Sequence, residues 1–188
     1  MPPKIRITKE NIVERAVEIV REHGMDSLNA RSLAKELGCS VQPIFRAFDS
    51  MGELKKEVFQ YIAEYYQNFL RESISEKDGL VGLEMAYIRF AREEKHFFKL
   101  LHMSDRLGLK ETEEFTSVGI NKEIIGVMAK MTGLSPEQAT RLYLGALYTA
   151  HGMASMIATN HCEFRDEEIK GIMESVFEGM IMKLKSEN

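Results

Sequence analysis

The sequence predicts an all-α protein, and three features of the 188-residue chain support this prediction. Apolar residues recur at three- and four-residue spacing in most windows, whereas the period-two alternation that marks strands is missing nearly everywhere. Helix-capping residues stand where these segments begin, and Gly stands where several of them end. We therefore expect an N-terminal three-helix domain that contains a helix-turn-helix, followed by a larger helical domain.

Capping signals place the individual helices. The first helix should begin after Thr8, a good N-cap, and end at Gly24. Residues 50–53 have the S-x-x-E pattern of a capping box, which predicts a fourth helix to about residue 74. The sequence SPEQ at residues 135–138 combines a cap, a Pro at the first helical position and a capping Gln. Helices are expected over residues 80–93, 94–103, 109–131, 136–160 and 166–185.

Residues 29–48, with the sequence NARSLAKELGCSVQPIFRAF, have the pattern of a helix-turn-helix. A second helix should follow Asn29, and Gly38 suits the turn because it adopts a left-handed backbone at no steric cost. Ser40 is expected to cap a short third helix over residues 41–47, whose N-terminal end would enter a DNA major groove. A helical hairpin without a DNA contact is the alternative interpretation of the pattern by itself.

The charge of the chain is unevenly distributed. A formal net charge of −4 argues against a protein that coats nucleic acid everywhere. Residues 1–60 carry ten Lys/Arg and nine Asp/Glu, whereas the remaining residues carry 15 and 20. Because the first nine residues are basic and contain no acid, Lys4 and Arg6 are candidates for phosphate or minor-groove contacts. A solvated terminus is the alternative.

Landmark residues of the first 60 positions support a family resemblance. They are Ala16, Gly24, Leu33, Ala34, Leu37, Gly38, Ser40, Ile44, Phe45, Phe48 and Leu54. The stretch that contains them, residues 12–59, resembles the DNA-binding domain of TetR-family transcription regulators along its whole length. The resemblance implies a DNA-binding domain over residues 6–66, with its helix-turn-helix at 29–48, and a helical ligand-binding and dimerisation domain over residues 67–188.

The resemblance also implies which residues meet DNA. In this family the first turn of the recognition helix reads bases, and later residues hold phosphates. The implied DNA-binding residues here are Arg31, Ser40, Val41, Gln42, Pro43, Phe45 and Arg46. Gln pairs bidentately with adenine and Arg with guanine, while Val41 and Pro43 suit contacts with thymine methyl groups.

Four positions depart from the pattern of the family. Ala30 stands where Thr or Ser is usual, Phe45 where Tyr is usual, Ala47 where His is frequent and Met51 where Lys is usual. Each change removes a polar group that could bond a phosphate, and phosphate contacts set non-specific affinity and its salt dependence. We therefore expect DNA binding that is weaker and less salt-sensitive than is usual in the family.

The larger domain offers aromatic and Met side chains with a few polar groups, a composition that suits a small, mainly apolar effector. The candidate lining residues are Phe90, Phe97, Phe98, Leu101, His102, Met103, Tyr143 and His151. Ordinary core packing is the alternative for each of them, and His151 is either a hydrogen-bonded core residue or a polar anchor. Residues 148–152 also look like an aromatic-x-x-His-Gly signature of some family members.

The final two helices are expected to form a dimer interface, because one carries a broad apolar face and the other many small residues. The candidate interface residues are Gly145, Thr149, Ile169, Ile172, Met173, Val176, Phe177, Met180 and Leu184. Intramolecular core is the alternative. A two-fold homodimer would place two recognition helices one DNA turn apart on a palindromic operator.

The sequence gives little support for a catalytic, cofactor-binding or metal-binding function. The sequence lacks a Gly-rich phosphate loop, a G-x-S-x-G and an H-E-x-x-H, so no enzyme activity and no cofactor are expected. Residues 161–163, His-Cys-Glu, are adjacent and so point in different directions on regular structure, and no metal site is expected. No segment reads as a membrane span or an export signal, which predicts a cytoplasmic protein with free thiols.

These patterns predict a ligand-responsive transcription regulator. It would bind a palindromic double-stranded operator as a homodimer, act as a repressor, and be released by a small effector. The alternative is a helical ligand-binding or protein-interaction module whose DNA-binding domain is degenerate, which the missing phosphate donors motivate.

Overall fold

The computed structural model describes residues 7–73, 79–104, 111–117 and 119–187, and all regular structure in these ranges is helical. The helices are α1 Lys9–His23, a 3-10 turn Met25–Ser27, α2 Ala30–Glu36, α3 Gln42–Ala47, α4 Met51–Ser73, α5 Gly79–Glu93, α6 Lys95–His102, α7 Thr112–Ser117, α8 Gly119–Thr132, α9 Pro136–Asn160 and α10 Asp166–Ser186. The predicted all-α fold is confirmed. No helix within the described ranges is long and apolar enough to cross a membrane.

The described helices divide into two compact units. The first unit comprises the chain up to Tyr66 together with Glu94–Met103, and the second comprises Gln67–Glu93 with the chain from Ser104 onward. Sequence analysis placed residues 94–103 in the larger domain, but α6 belongs to the first unit. The first unit is therefore discontinuous in sequence.

The core of the first unit forms around α1, which packs against α2, α3 and α6. Its fully buried side chains come from every helix of the unit: Ile12, Ala16, Val20, Leu33, Ile44, Leu54, Val58, Ile62, Phe97 and Phe98. Because these side chains repeat at three- and four-residue spacing, each helix turns one apolar stripe inward and leaves the opposite face polar.

The second unit is built around α9, which packs against α5, α8 and α10. Five alanines of α9 are fully buried: Ala139, Ala146, Ala150, Ala154 and Ala158. Their small side chains let neighbouring backbones approach closely. Helix α10 runs antiparallel to α9, since the Nε2 of Gln138 donates to the carbonyl of Leu184 at 2.8 Å, whereas Gly145 further along α9 lies against Met180.

Most predicted caps are present. Thr8 caps α1, accepting a hydrogen bond from the amide of Asn11. Ser135 and Gln138 form the predicted capping box, with bonds of 3.2 and 3.0 Å. At the start of α4 the hydroxyl of Ser50 accepts from the amide of Glu53 at 3.2 Å.

Two sequence predictions about helix limits were wrong. Ser40 does not cap α3; the N-cap is Val41, which makes no side-chain cap bond. With Ser40 as N-cap, the third helical residue would be Pro43, which lacks the N–H that the hydroxyl would bond. The expected single helix over residues 109–131 is instead α7 and α8, and α8 begins at Gly119 with a left-handed φ of 54°.

Gly38 should be sensitive to substitution because it has a φ of 62°, although a Cβ there would meet nothing within 4 Å. We expect Gly38→Ala to lower the free energy of unfolding by about 1 kcal/mol through backbone strain alone. The matched control is Gly52→Ala in α4, where a Cβ makes only an ordinary contact. That change should stabilise by roughly 0.5 kcal/mol. Urea unfolding of both variants measures this, and equal effects would contradict the strain argument.

Candidate functional site

Local hydrogen bonds fix the start of α2 and the turn after it. The side chain of Asn29 accepts from the amides of Arg31 and Ser32 at 3.1 and 3.0 Å, and the hydroxyl of Ser32 accepts from the amide of Asn29. This is a complete capping box. In the turn, the amide of Cys39 donates to the carbonyl of Ala34 at 3.0 Å while Gly38 takes its left-handed conformation. The path from α2 to α3 is therefore fixed by the backbone.

Helix α3 is anchored on one side and open on the other. Ile44 and Phe48 are 1% and 2% exposed, so they lock the helix into the core of the first unit. The opposite face is exposed, with Val41 at 36% and Phe45 at 49%. Gln42, Arg46, Ser40 and Arg31 are also exposed, and Pro43 is half-buried. The structure thus brings the base-facing candidates onto one open surface.

Two arginine side chains on this surface can bind a ligand because they form no salt bridge with the described part of the chain. Within the described ranges, Arg31 and Arg46 take part in no salt bridge, whereas Lys9 at the start of α1 pairs with Glu57 and lies 4.8 Å from the ring centre of Phe48. An exposed guanidinium without an internal carboxylate can bond phosphate or a guanine edge. Lys4 and Arg6 lie outside the described residues.

Sequence analysis missed a charged cluster that joins α1, α4 and α6. The Nε of Arg21 donates to Glu94 at 3.0 Å, and the hydroxyl of Tyr65 donates to the same carboxylate at 3.0 Å. The guanidinium of Arg21 also lies 5.0 Å from the ring centre of Phe97 and 5.4 Å from that of Tyr65. The cluster ties α6 to α1 and α4 of the first unit, and no local sequence signal could reveal it because Arg21 and Glu94 are 73 positions apart.

The predicted ligand-lining residues fall in both compact units. Phe97, Phe98 and Leu101 are buried in the first unit, where His102 stacks edge-on with Tyr66 at a ring-centre distance of 4.7 Å. Met103, also in the first unit, is 44% exposed. The remaining candidates, Phe90, Tyr143 and His151, lie in the second unit. That these eight residues together line a ligand pocket stays a prediction.

Polar side chains in the second unit are connected to one another. The hydroxyl of Tyr87 and the Nδ1 of His151 lie 2.8 Å apart, and the Nε2 of His151 lies 3.2 Å from the hydroxyl of Ser155. Both ring nitrogens of His151 therefore have hydrogen-bond partners, and burial lowers its pKa. The hydroxyl of Tyr143 donates to the Oδ1 of Asn121 at 2.8 Å.

Glu84 is the unexpected residue of this unit. It lies on α5 and is 2% exposed, and its Oε1 has no hydrogen-bond partner. Burial raises the pKa of Glu84 to about 8. Its carboxylate in turn helps to raise the pKa values of Tyr87 and Tyr143, for which burial is the larger cause. The sequence signal was an acid among apolar residues at helical spacing, since Tyr87, Ile88 and Ala91 are buried with it.

Four of the predicted dimer residues are buried within the chain itself. Ile169, Met173, Phe177 and Leu184 are at most 4% exposed, so they pack in the chain's own core, and the dimer interface as a whole stays a prediction. Gly145 is also occupied inside the chain, because a Cβ there would collide with the sulfur of Met180. Thr149 and Val176 are half-buried, and Ile172 remains exposed at 42%.

A second apolar face lies beside the buried one. On α9 it contains Tyr148 and Met156, 62% and 43% exposed, with the exposed Gly152 between them. On α10 it contains Ile172 and Met182, the latter 74% exposed. Apolar area of this kind on two adjacent helices is typical of an interaction surface.

Two further sequence expectations concern cysteines and metals. Cys39 and Cys162 are free and half-buried. Across the ranges that the structure describes, no group of three His, Cys, Asp or Glu side chains comes together to hold a metal ion.

The arrangement of the described helices is that of the TetR-family transcription regulators. The TetR protein of Acinetobacter baumannii AYE, solved as a variant with minocycline, matches with a TM-score of 0.54 at 14% identity, over 96% of this chain and 98% of that one. A protein of unknown function from Rhodococcus sp. RHA1 matches with a TM-score of 0.68 at 18% identity, over 98% and 99% of the two chains. These similarities establish the fold that the sequence resemblance implied.

Sequence comparison gives a relative with a regulatory name. The uncharacterised HTH-type transcriptional regulator YobS of Bacillus subtilis (strain 168) is 24% identical over 178 residues, which are 90% of this chain and 88% of that protein. No family model matches the chain. The similarity to YobS spans both compact units rather than the helix-turn-helix alone.

Glu84 should make stability fall as pH rises. Because folding raises the pKa of Glu84 to about 8 from 4.5, its contribution is fully present below pH 4.5 and is lost as pH rises through 8. We expect the free energy of unfolding to lose roughly 1 kcal/mol per pH unit across this window relative to Glu84→Gln.

Urea unfolding at several pH values measures this difference. The matched control is Glu93→Gln, an exposed acid on the same helix, which should keep the slope of the wild type. Identical slopes for wild type and Glu84→Gln would contradict the raised pKa.

Proposed function

We propose that this protein is a DNA-binding transcription regulator whose α3 reads an operator in the major groove and which responds to a small, mainly apolar effector. The observation that carries the proposal is the open face of α3, where Gln42 and Arg46 are exposed beside the buried anchors Ile44 and Phe48. A helix held from one side with its polar side chains free on the other is what insertion into a groove requires.

Each exposed residue has a defined role in this proposal. The amide of Gln42 suits the N6 and N7 atoms of adenine, and the guanidinium of Arg46 suits the O6 and N7 atoms of guanine. Val41, Pro43 and the exposed ring of Phe45 supply apolar contacts to thymine methyl groups or sugars. Arg31, at the start of α2, reaches a base edge or a phosphate.

The proposed working form is a homodimer. The register that pairs residue 138 with 184 and residue 145 with 180 places Ile172 of α10 near Gly152 of α9. The exposed apolar residues of both helices then form one surface with small residues at its centre, which allows close approach of a second copy. The four buried residues of α10, Ile169, Met173, Phe177 and Leu184, lie in the core beneath this surface.

The effector would act by differential affinity for two spacings of the paired α3 helices. The chain passes between the units at three places: within the continuous helix α4 after Tyr66, at Glu94 between α5 and α6, and after Met103. An effector bound in the second unit can therefore bias the first along any of these connections. Release of DNA on binding, and hence repression, is the proposed direction.

The test of DNA reading begins with selection of bound fragments from genomic DNA and footprinting of those retained. We expect Gln42→Ala to lose discrimination at one symmetric base position by about 1–3 kcal/mol, because the bidentate contact is lost. Binding to each single-base operator variant measures this. Gln60→Ala, an exposed glutamine on α4, is the matched control and should discriminate like the wild type.

Two outcomes would contradict the proposed function. One is a protein that enriches no fragment at low salt without ligand, which would favour a ligand-binding or protein-interaction module. The other is an unchanged base preference in Gln42→Ala. The salt dependence of the selected complex tests the expected shortage of phosphate contacts at Ala30, Phe45, Ala47 and Met51.

The dimer surface is tested at Ile172. Ile172→Glu places a charge in the proposed interface and should yield a monomer by light scattering at micromolar concentration, with at least about tenfold weaker operator binding. Val127→Glu, at a 38% exposed position of α8, is the matched control and should stay dimeric. A dimeric Ile172→Glu protein, or a monomeric wild type, would rule this surface out.

A further inference from the structure

The exposed face of α3 carries two large apolar side chains one helical turn apart. Val41 is the N-cap but has the helical backbone angles φ −69° and ψ −15°, and the amide of Phe45 donates to its carbonyl at 3.3 Å. This bond fixes the i, i+4 relation, so the two side chains stand one above the other on the same side of the helix. Single exposed apolar residues are ordinary, whereas a pair in this arrangement forms an apolar row.

The polar side chains of this face form a second row. Gln42 and Arg46 are exposed and also lie one turn apart. At about 100° of rotation per residue, their row lies directly beside that of Val41 and Phe45. The buried Ile44 points away from both rows into the core of the first unit. The exposed face of α3 is thus divided lengthwise into an apolar half and a polar half.

The two rows meet different chemistry in a major groove. Amide and guanidinium groups can bond the donors and acceptors of base edges, as Gln42 and Arg46 are proposed to do. An apolar side chain makes no such bond, and it strips water from any polar edge that it covers. The C5-methyl group is the apolar feature that bases present on the floor of the major groove. An apolar row inserted there packs favourably when it covers this group.

We propose that Val41 and Phe45 read the C5-methyl group of pyrimidines in the operator. The inference rests on the proposed function, in which α3 enters the major groove, and it adds what the apolar row selects. Thymine and 5-methylcytosine carry this group at the same ring position, so both satisfy the row. Methylation of cytosine at the positions that Val41 and Phe45 cover should therefore strengthen binding, which makes operator recognition dependent on the methylation of the DNA.

The proposed contact involves no charge, and this property sets its salt dependence. Burial of one methyl group is worth about fourfold in affinity, and a two-fold symmetric operator counts it twice, which gives about fifteenfold. Phosphate contacts release counter-ions and so weaken with salt, whereas a methyl contact releases none. The ratio of affinities for operators with and without the methyl group should therefore stay constant as the salt concentration rises.

The experiment uses synthetic duplexes of the footprinted fragment and the full-length protein. Each thymine of a half-site, together with its symmetric mate, is replaced in turn by uracil, which keeps every hydrogen-bonding group and lacks only the methyl group. We expect two positions in each half-site at which uracil weakens binding by about fifteenfold, with the same ratio at about 50 and 200 mM salt. Fluorescence anisotropy of the labelled duplexes measures these affinities.

A second set of duplexes separates the methyl group from the rest of the thymine base. At each sensitive position the thymine–adenine pair is replaced by a cytosine–guanine pair that contains either cytosine or 5-methylcytosine. We expect the 5-methylcytosine duplex to bind about fifteenfold more tightly than the cytosine duplex, the same factor that uracil removes. At positions where uracil has no effect, the two cytosine duplexes should bind equally.

Variants of α3 assign the sensitive positions to the two side chains. Val41→Ser and Phe45→Ser should each bind the thymine and uracil duplexes equally at one position and keep the wild-type ratio at the other. Both side chains are exposed, so neither change opens a cavity in the core. Tyr61→Ala, at an exposed aromatic residue of α4 in the first unit, is the matched control and should keep the wild-type ratio at every position.

Four outcomes would overturn the inference: a selected half-site without thymine, uracil duplexes that bind like thymine duplexes, equal binding of the two cytosine duplexes, or uracil sensitivity that survives in both serine variants. If one of these occurs while Gln42→Ala still loses discrimination at its own position, the regulator stands and only the methyl reading is wrong. If no fragment is selected from genomic DNA, the proposed function falls and the inference falls with it.

Discussion

Close packing along α9 is the constraint on which the second unit depends. Three helices contact α9, and the fully buried Ala146, Ala150, Ala154 and Ala158 leave no room for longer side chains. Protein interiors are packed to the density of organic crystals, so one added methylene group forces the neighbouring side chains and backbone to shift. Gly145 shows the same constraint toward α10, where even a Cβ would displace Met180. Helix α5, which carries Glu84, is one of the helices packed against α9.

The two units differ in where their polar side chains lie and in what satisfies their hydrogen bonds. In the first unit the buried side chains are apolar, and the polar groups that matter lie on the surface of α3, where water or nucleic acid can satisfy them. In the second unit Tyr87, Tyr143 and His151 are hydrogen-bonded to side chains of the same unit, whereas the Oε1 of Glu84 has no hydrogen-bond partner. An apolar core that holds one unsatisfied carboxyl oxygen is a less stable arrangement than a fully apolar core.

Local signals in the sequence predicted much of the fold, and long-range pairings could not be predicted. The caps at Thr8, Asn29 and Ser135 need only residues three positions away, so pattern alone located α1, α2 and α9. Ser40 failed as a cap because Pro43 removes the required donor, a conflict between two local rules. The apolar residues of α10 form two adjoining stripes, and sequence spacing cannot tell which stripe, that of Met173 or that of Ile172, meets the chain's own core. The bond between Arg21 and Glu94 depends on the fold as a whole.

The discontinuity of the first unit has a consequence for synthesis. Phe97 and Phe98 of α6 are fully buried in a core to which residues before residue 67 also contribute, and Arg21 pairs with the carboxylate of Glu94. The ribosome extends a chain by about 5–20 residues per second, and domains fold as their residues emerge. The helix-turn-helix cannot complete its core when residue 66 leaves the exit tunnel; it must wait, with apolar surface uncovered, until α5 and α6 have followed. A newly made chain therefore acquires its recognition surface late, only after part of the second unit already exists.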